Sequence, residues 1–429
     1  MDYRIFPPQQ LLQTRTSLPL SKSESNRALI ISALTPGGNM PAVVAECDDT
    51  AAMLSVLNSL DSREVNVGAA GTAMRFLTAL AAVTSGIDMV IDGSERMRQR
   101  PIGPLVDALR QCGASIEYAG TEGFPPLHVT GRALEGGEVT VDASVSSQFI
   151  SALMMVAPCM ANGLRINMAG EAVSESYLRL TAAMMERAGV TAEFERGTID
   201  IPSAKYTPVN WTIGADWSAA SYWYEIEALT SGFVTLDGLD ADSRQPDRKV
   251  ADIFSNLGVL TEWEGEEGGI DLMASPELSP RMVMDLSDNP DLAQTVIVTC
   301  AMLGVPFLIS GLETLSIKET DRIKALYTEL LKIGIVTDIS VAGRMEWDGS
   351  RRPIAELPEF DTYADHRMAM SLAPVSIYIP GIVVRDAGVV AKSYPGYWDV
   401  LRNAGFLVAD ASLPVEEMQR LIDEHIAEE

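Results

Sequence analysis

The chain has 429 residues, 47% hydrophobic and 21% charged, and 59 acidic side chains against 32 basic ones leave a net charge of −27. That apolar content excludes a disordered chain, and the field of so acidic a protein repels phosphate, which argues against general binding to nucleic acid or an anionic membrane. The length accommodates two or three domains with ample core.

The cysteines (Cys47, Cys112, Cys159, Cys300) and histidines (His128, His366, His425) are scattered, with no CxxC pair and no zinc spacing. No metal and no cofactor are expected, and the thiols read as small core residues in a reducing cytosol. The opening MDYRIFPPQQ carries no basic-plus-apolar signal, so a cytoplasmic location is expected. The most apolar stretch, 295–312, is broken by Gly304 and Pro306 and predicts a buried helix followed by a strand, not a membrane span.

In chain order, one unit repeats six times. Each copy opens on a small, polar turn running into a nearly all-apolar helix: SKSESNRALIISAL, AGTAMRFLTALAAV, SSQFISALMMVAP, DWSAASYWYEIEAL, NPDLAQTVIVTCAM and YADHRMAMSLAPV. A helix apolar all round is a buried helix. A short strand follows each: PAVVAEC, DMVIDG, LRINMAG, FVTLDGL, PFLISGL and IVVRDAG. Then comes an amphipathic helix stopped by a glycine expected to act as a left-handed cap, at Gly113, Gly189, Gly258, Gly334 and Gly405. TAAMLSVLNSL, from Thr50 to Leu60, is the first and weakest copy and lacks the glycine. Little room remains between Asp48 and Gly71, so a pruned hairpin is expected there. Six units suggest two three-unit domains, with a hinge over 207–214.

In so acidic a chain the informative residues are cations near helix starts: Lys22, Arg27, Arg100, Lys318, Arg322, Arg367 and Lys392. Cations there oppose the helix dipole, which is poor for stability and good for holding phosphate or carboxylate. Ser146, Ser147 and Gln148 add two hydroxyls and an amide at one helix start, where ordinary capping is the competing explanation, and Ser174 lies in the following loop. Gly71 permits close backbone approach to a ligand. Asp291 and Glu319 are caps or, beside an anion site, a general base and acid. No Ser-His-Asp order, P-loop or Rossmann fingerprint is present. The pattern reads as anion positioning plus proton transfer.

LPLSKSESNRAL, AGTAMR, RMRQRPIGPLVDAL, VSSQF, SIKETDRI, DHRMAM and AKSYPGYW, spanning Leu18 to Leu401, resemble the 5-enolpyruvylshikimate-3-phosphate synthase family. The resemblance implies an α/β fold of two domains, an inverse α/β barrel with six βαβαββ-type units, three per domain. One domain would comprise 20–214; the other would join 1–19 to 215–429 and carry a C-terminal helical tail, with the active site in the cleft between them. It implies transfer of the enolpyruvyl group of phosphoenolpyruvate to the 5-hydroxyl of shikimate 3-phosphate, releasing phosphate, by a monomer whose partners are those two small anions. Lys22, Ser23, Arg27, Ser146, Ser147, Gln148, Ser174, Asp291 and Lys318 would hold shikimate 3-phosphate. Lys22, Gly71, Arg100, Gln148, Arg322, Arg367 and Lys392 would hold phosphoenolpyruvate, with Asp291, Glu319 and Lys22 catalytic. Glyphosate is expected to compete with phosphoenolpyruvate. The chain departs from the family pattern at Leu20, Ala69, Phe76 and Thr314. The alternatives are the related UDP-N-acetylglucosamine enolpyruvyl transferase, whose typical cysteine is missing from the loop SERMRQRP, and a non-catalytic phosphometabolite-binding protein on the same fold.

Overall fold

The computed structural model describes residues 1–170, 173–264 and 268–427. The chain divides into two compact units: Leu20–Gly214 with Arg244–Pro246, and Met1–Pro19 with Ala215–Ser243 and Asp247–Glu429. The three residues Arg244–Pro246, expected in the later domain, thus group with the earlier one.

The Leu20–Gly214 unit is built on three helices, Lys22–Leu34, Gly71–Val83 and Ser147–Val156, whose middle turns are buried on every side. Their sequences leave no polar face to offer to water, so they pack on one another and are covered by sheets and outer helices. Polar residues sit at their starts. Ser21 and Ser146 cap two of them, accepting hydrogen bonds from Glu24 N and Gln148 N, each at 3.3 Å. Two four-stranded sheets follow one plan. The first orders strands Glu64–Asn66, Asp88–Asp92, Leu127–Thr130 and Ser115–Tyr118. The second orders Gly137–Asp142, Leu164–Ala169, Thr198–Ile201 and Glu193–Glu195. In each, a parallel pair is joined through a buried helix and an antiparallel hairpin completes the edge. That is a βαβαββ unit.

The other unit repeats the plan around the buried helices Trp217–Thr230, Ala293–Leu303 and His366–Leu372, with three sheets. Its N-terminal residues supply two of the strands. Gln13–Ser17 pairs in parallel with Phe233–Asp237, and Tyr3–Phe6 inserts between Ile382–Val384 and Leu407–Asp410, antiparallel to both. The first nineteen residues are therefore bound into the sheets of the fourth and sixth repeats. The mixed α/β class and the repeated βαβαββ plan agree with the expectation.

Several details are corrected. PAVVAEC forms no strand, and the first repeat is reduced to the helices Lys22–Leu34 and Asp48–Leu57. No hairpin lies between Asp48 and Gly71; the single strand Glu64–Asn66 opens the second repeat instead. Its partner is the strand beyond the next helix, so too few residues remain for a second strand. Gly258 has φ +86° but sits in the strand Leu257–Glu264 at a register shift, so it serves a bulge and not a helix end. Cys159 is exposed, unlike the other three thiols. The tail does form a helix, Val415–Ala427, which buries only Met418 and is tied by a contact between His425 Nε2 and Pro7 O at 2.8 Å. No helix among the described residues is long and apolar enough to cross a membrane.

Candidate active site

In the Leu20–Gly214 unit the candidate residues gather at the starts of the three buried helices, where unpaired N–H groups and the dipoles favour an anion. Lys22 and Ser23 open the first helix, and Lys22 Nζ donates to Asp49 Oδ2 at 3.1 Å. Asp49, only 4% exposed, is the first partner that the sequence did not reveal. Gly71 and Thr72 open the second helix, and Gln148 in the first turn of the third donates from Nε2 to Thr72 Oγ1 at 3.2 Å. Two of the helix starts are thereby tied together.

Gly71 faces the guanidinium of Arg100. A Cβ on Gly71 would lie 2.7 Å from Arg100 Nη1, so the glycine is what lets the arginine lie against the helix start. Arg75 holds that loop in place: its Nη2 donates to Pro101 O at 2.9 Å and its Nη1 to Gly71 O at 3.1 Å. Arg27 is 3% exposed and spread over protein partners: Nε donates to Thr181 Oγ1 at 2.7 Å and Nη1 to Ser23 O at 3.0 Å. Its guanidinium lies over the rings of Phe76 and Tyr177. Burial pulls its pKa down to about 10, leaving it a cation at neutral pH. Phe76, a departure from the family pattern, thus supports a candidate arginine. Ser146 performs the capping role described above, while Ser147 is buried beside it. Ser174 adopts a left-handed backbone (φ 56°) at the start of helix Glu175–Arg187 and makes no side-chain cap. A non-glycine residue in that region is strained, as ligand-facing residues often are.

In the other unit the candidates form one lattice of cations and carboxylates. Asp291 lies in the turn Pro290–Leu292 just ahead of helix Ala293–Leu303. Arg322 Nη1 donates to Asp291 Oδ1 at 3.0 Å, Arg367 Nη2 donates to Asp291 Oδ2 at 3.0 Å, and Lys318 Nζ stands 3.9 Å from Oδ1. Glu319 Oε2 accepts from Arg322 Nη2 at 3.1 Å, and its Oε1 lies 3.7 Å from Lys392 Nζ. All six residues predicted in this unit (Asp291, Lys318, Glu319, Arg322, Arg367 and Lys392) are therefore joined in one network.

No motif in the sequence marks the role of the residue that holds this lattice. Asp365 is fully buried; its Oδ2 accepts from Arg322 Nε at 2.7 Å, its Oδ1 from Arg322 Nη2 at 3.3 Å and from the backbone N of Arg367 at 2.9 Å. One carboxylate clamps one arginine and caps the helix that carries the other. Its position one residue before HRMAM was visible as a cap signal, but its pairing with a residue 43 positions away was not. Burial raises the pKa of Asp291, but the attraction of Arg367, Lys318 and Arg322 outweighs it and holds the carboxyl far below its usual range. Arg322 is correspondingly pushed up, because Asp365, Glu319 and Asp291 more than offset its burial.

The chain is similar to proteins of one family throughout its length. A family model for EPSP synthase (3-phosphoshikimate 1-carboxyvinyltransferase) matches residues 61–401. A 3-phosphoshikimate 1-carboxyvinyltransferase of Bacteroides fragilis is 47% identical over 95% of this chain and 98% of its own. One from Photorhabdus laumondii is 34% identical over 94% of this chain and 99% of its own. A solved structure of EPSP synthase from Acinetobacter baumannii shares the fold with a TM-score of 0.75 at 21% identity, covering 95% of this chain and 100% of that one. The two-unit βαβαββ fold, the helix-start residues and these matches over nearly the whole chain agree: the chain belongs to the EPSP synthase family.

Proposed function

We propose that the chain is a 3-phosphoshikimate 1-carboxyvinyltransferase of aromatic amino acid biosynthesis. It transfers the enolpyruvyl group of phosphoenolpyruvate to the 5-hydroxyl of shikimate 3-phosphate and releases phosphate. The observation that carries this reading is the Arg322–Asp291–Arg367 bridge with Glu319 beside it. It combines two guanidiniums suited to phosphate and carboxylate with two carboxylates suited to proton transfer. Shikimate 3-phosphate is held by Lys22, Ser23, Arg27, Ser146, Ser147, Gln148, Ser174, Asp291 and Lys318. Phosphoenolpyruvate is held by Lys22, Gly71, Arg100 and Gln148 with Arg322, Arg367 and Lys392. The domains close on shikimate 3-phosphate, and a radius of gyration unchanged at saturation in small-angle scattering contradicts that closure. The protein works as a cytoplasmic monomer.

Asp291 removes the proton of the attacking hydroxyl as its oxygen bonds to C2 of phosphoenolpyruvate. Glu319, with Lys22 assisting, protonates the methylene carbon. Glu319 then takes back a proton from the methyl group of the adduct as the C–O bond to phosphate breaks, which restores the double bond and releases phosphate. A general base is most effective when its proton affinity suits the working pH, and three cations hold that of Asp291 very low. Substrate anions on Arg322, Arg367 and Lys318 share those cations and raise it, so the base is strengthened where substrate is present. Phosphate release is measured with phosphoenolpyruvate and, separately, shikimate 3-phosphate or UDP-N-acetylglucosamine. Release with only the former is expected. Release with only the latter assigns the sister activity, and release with neither leaves a binding protein.

A further inference from the structure

Asp247 stands behind the guanidinium of Arg367 and has no part in the steps above. It lies in the turn Pro246–Lys249 and is 1% exposed. Its Oδ2 accepts a hydrogen bond from Ser218 Oγ, and its Oδ1 has no hydrogen-bond partner among the described residues. Arg367 Nη2 donates to Ser218 Oγ at 3.5 Å and to Asp291 Oδ2 at 3.0 Å. One guanidinium therefore stands between two carboxylates, touching one directly and the other through a hydroxyl.

Asp291 and Asp216 act on Asp247 as like charges and Arg367 as the opposite one. Arg367 in turn meets Tyr222 Oη from helix Trp217–Thr230, Asp365 through its own backbone N, and the charge of Arg322. Burial, and then the charge of Asp291, push Asp247 up to about 6 against the pull of Arg367 and the Ser218 hydrogen bond. An anion settling on Arg367 would weaken that pull and add a further like charge. Both changes favour a proton on Asp247, and Oδ1 is the oxygen free to take it.

We infer that Asp247 is a proton-linked positioning residue for phosphoenolpyruvate: when an anionic group of the substrate occupies Arg367, Asp247 takes up a proton on Oδ1 and ceases to compete, through Ser218, for the guanidinium's charge. The inference rests on the assignment of Arg367 to phosphoenolpyruvate. Its sign is fixed by linkage. Affinity is highest where Asp247 is already protonated, falls as pH rises through about 6, and levels off above the raised value in the complex.

Phosphoenolpyruvate alone, titrated calorimetrically into the full chain in two buffers of unequal ionisation enthalpy, counts the protons taken up. Asp247→Asn, which holds a neutral side chain at every pH, should take up fewer than the unmodified chain. With shikimate 3-phosphate saturating, KM for phosphoenolpyruvate should rise about three- to ten-fold more between pH 6 and 8 in the unmodified chain than in the variant, for a shift of about one pKa unit on binding. The two kcat profiles should stay parallel. Ser218→Ala, which cuts the hydroxyl bridge, should reduce the same pH dependence, so the inference stays testable if Asp247→Asn folds poorly. Equal proton uptake with parallel KM profiles overturns the inference, as does an absence of phosphoenolpyruvate binding at millimolar concentration. Binding with Asp247-dependent proton uptake but no phosphate release with any acceptor supports the linkage and sinks the transferase reading alone.

Discussion

The candidate residues of the two units both lie near helix starts and differ in how their charges are partnered. In the Leu20–Gly214 unit the candidates combine neutral donors (Ser23, Ser146, Ser147, Gln148 and Ser174) with the cations Lys22, Arg27 and Arg100; Lys22 meets Asp49, and Arg27 meets hydroxyl and carbonyl oxygens. In the other unit Lys318, Arg322, Arg367 and Lys392 interleave with Asp291, Glu319 and Asp365. The comparison teaches that a buried guanidinium can be held by neutral oxygens or by carboxylates, with opposite effects. The oxygens around Arg27 do not offset its burial, which lowers its pKa to about 10. In the other unit Asp365, Glu319 and Asp291 more than offset the burial of Arg322 and raise its pKa.

Variants that break the lattice should have the largest effects. Asp291→Ala should lower kcat at least about 10²–10⁴-fold, the range for a lost general base, while shikimate 3-phosphate binding stays measurable by calorimetry. A near-normal kcat removes Asp291 from the proton-transfer role. Asp365→Ala leaves Arg322, 1% exposed, without its clamp. Breaking a buried pair from one side should reduce folding stability by about 3–5 kcal/mol and raise KM for phosphoenolpyruvate. Denaturant titration gives the first value and steady-state kinetics the second; an unchanged KM would mean that the clamp serves folding alone.

The Leu20–Gly214 unit should respond more mildly. Gly71→Ala places a methyl against Arg100, whose guanidinium is the flexible partner and must shift. The expected loss is about 1–3 kcal/mol of phosphoenolpyruvate affinity, with a parallel rise in the inhibition constant for glyphosate and little change in shikimate 3-phosphate binding. Inhibition kinetics at several phosphoenolpyruvate concentrations checks both constants.

Away from the candidate residues, Glu225 is fully buried in helix Trp217–Thr230, and its carboxylate oxygens have no hydrogen-bond partner among the described residues. Burial pushes its pKa well above the usual carboxyl value. The folded state therefore holds a proton that the unfolded chain releases, so this group costs stability as pH rises from the unfolded value toward the folded one. Glu225→Gln should raise Tm at pH 8 more than at pH 5. An equal shift at both pH values would mean that Glu225 is not protonated in the folded chain.

The sequence displayed some of this and hid the rest for physical reasons. The six buried helices were legible because they are apolar on every face, and the candidate cations because they sit against the expected dipole preference. The strand Gln13–Ser17 was not: QTRTS is polar, and its place follows from pairing with Phe233–Asp237 across the chain. Asp49, Asp247 and Asp365 escaped because an acidic residue near a helix start is unremarkable in sequence. Each acquires meaning only from a basic or hydroxyl partner in another element: Lys22, Ser218 and Arg322. PAVVAEC is the converse case: its apolar residues look like a strand and form none, because strand formation depends on pairing context more than on composition.

The function proposed above has residues of both units serve one substrate. Calorimetric titration of shikimate 3-phosphate into the unmodified chain, Gln148→Ala and Lys318→Ala tests it most directly. The account predicts a single site per chain whose affinity falls in both variants, by about 0.5–1.5 kcal/mol for the neutral amide and about 1.5–3 kcal/mol for the charged contact. Full affinity in either variant would contradict it.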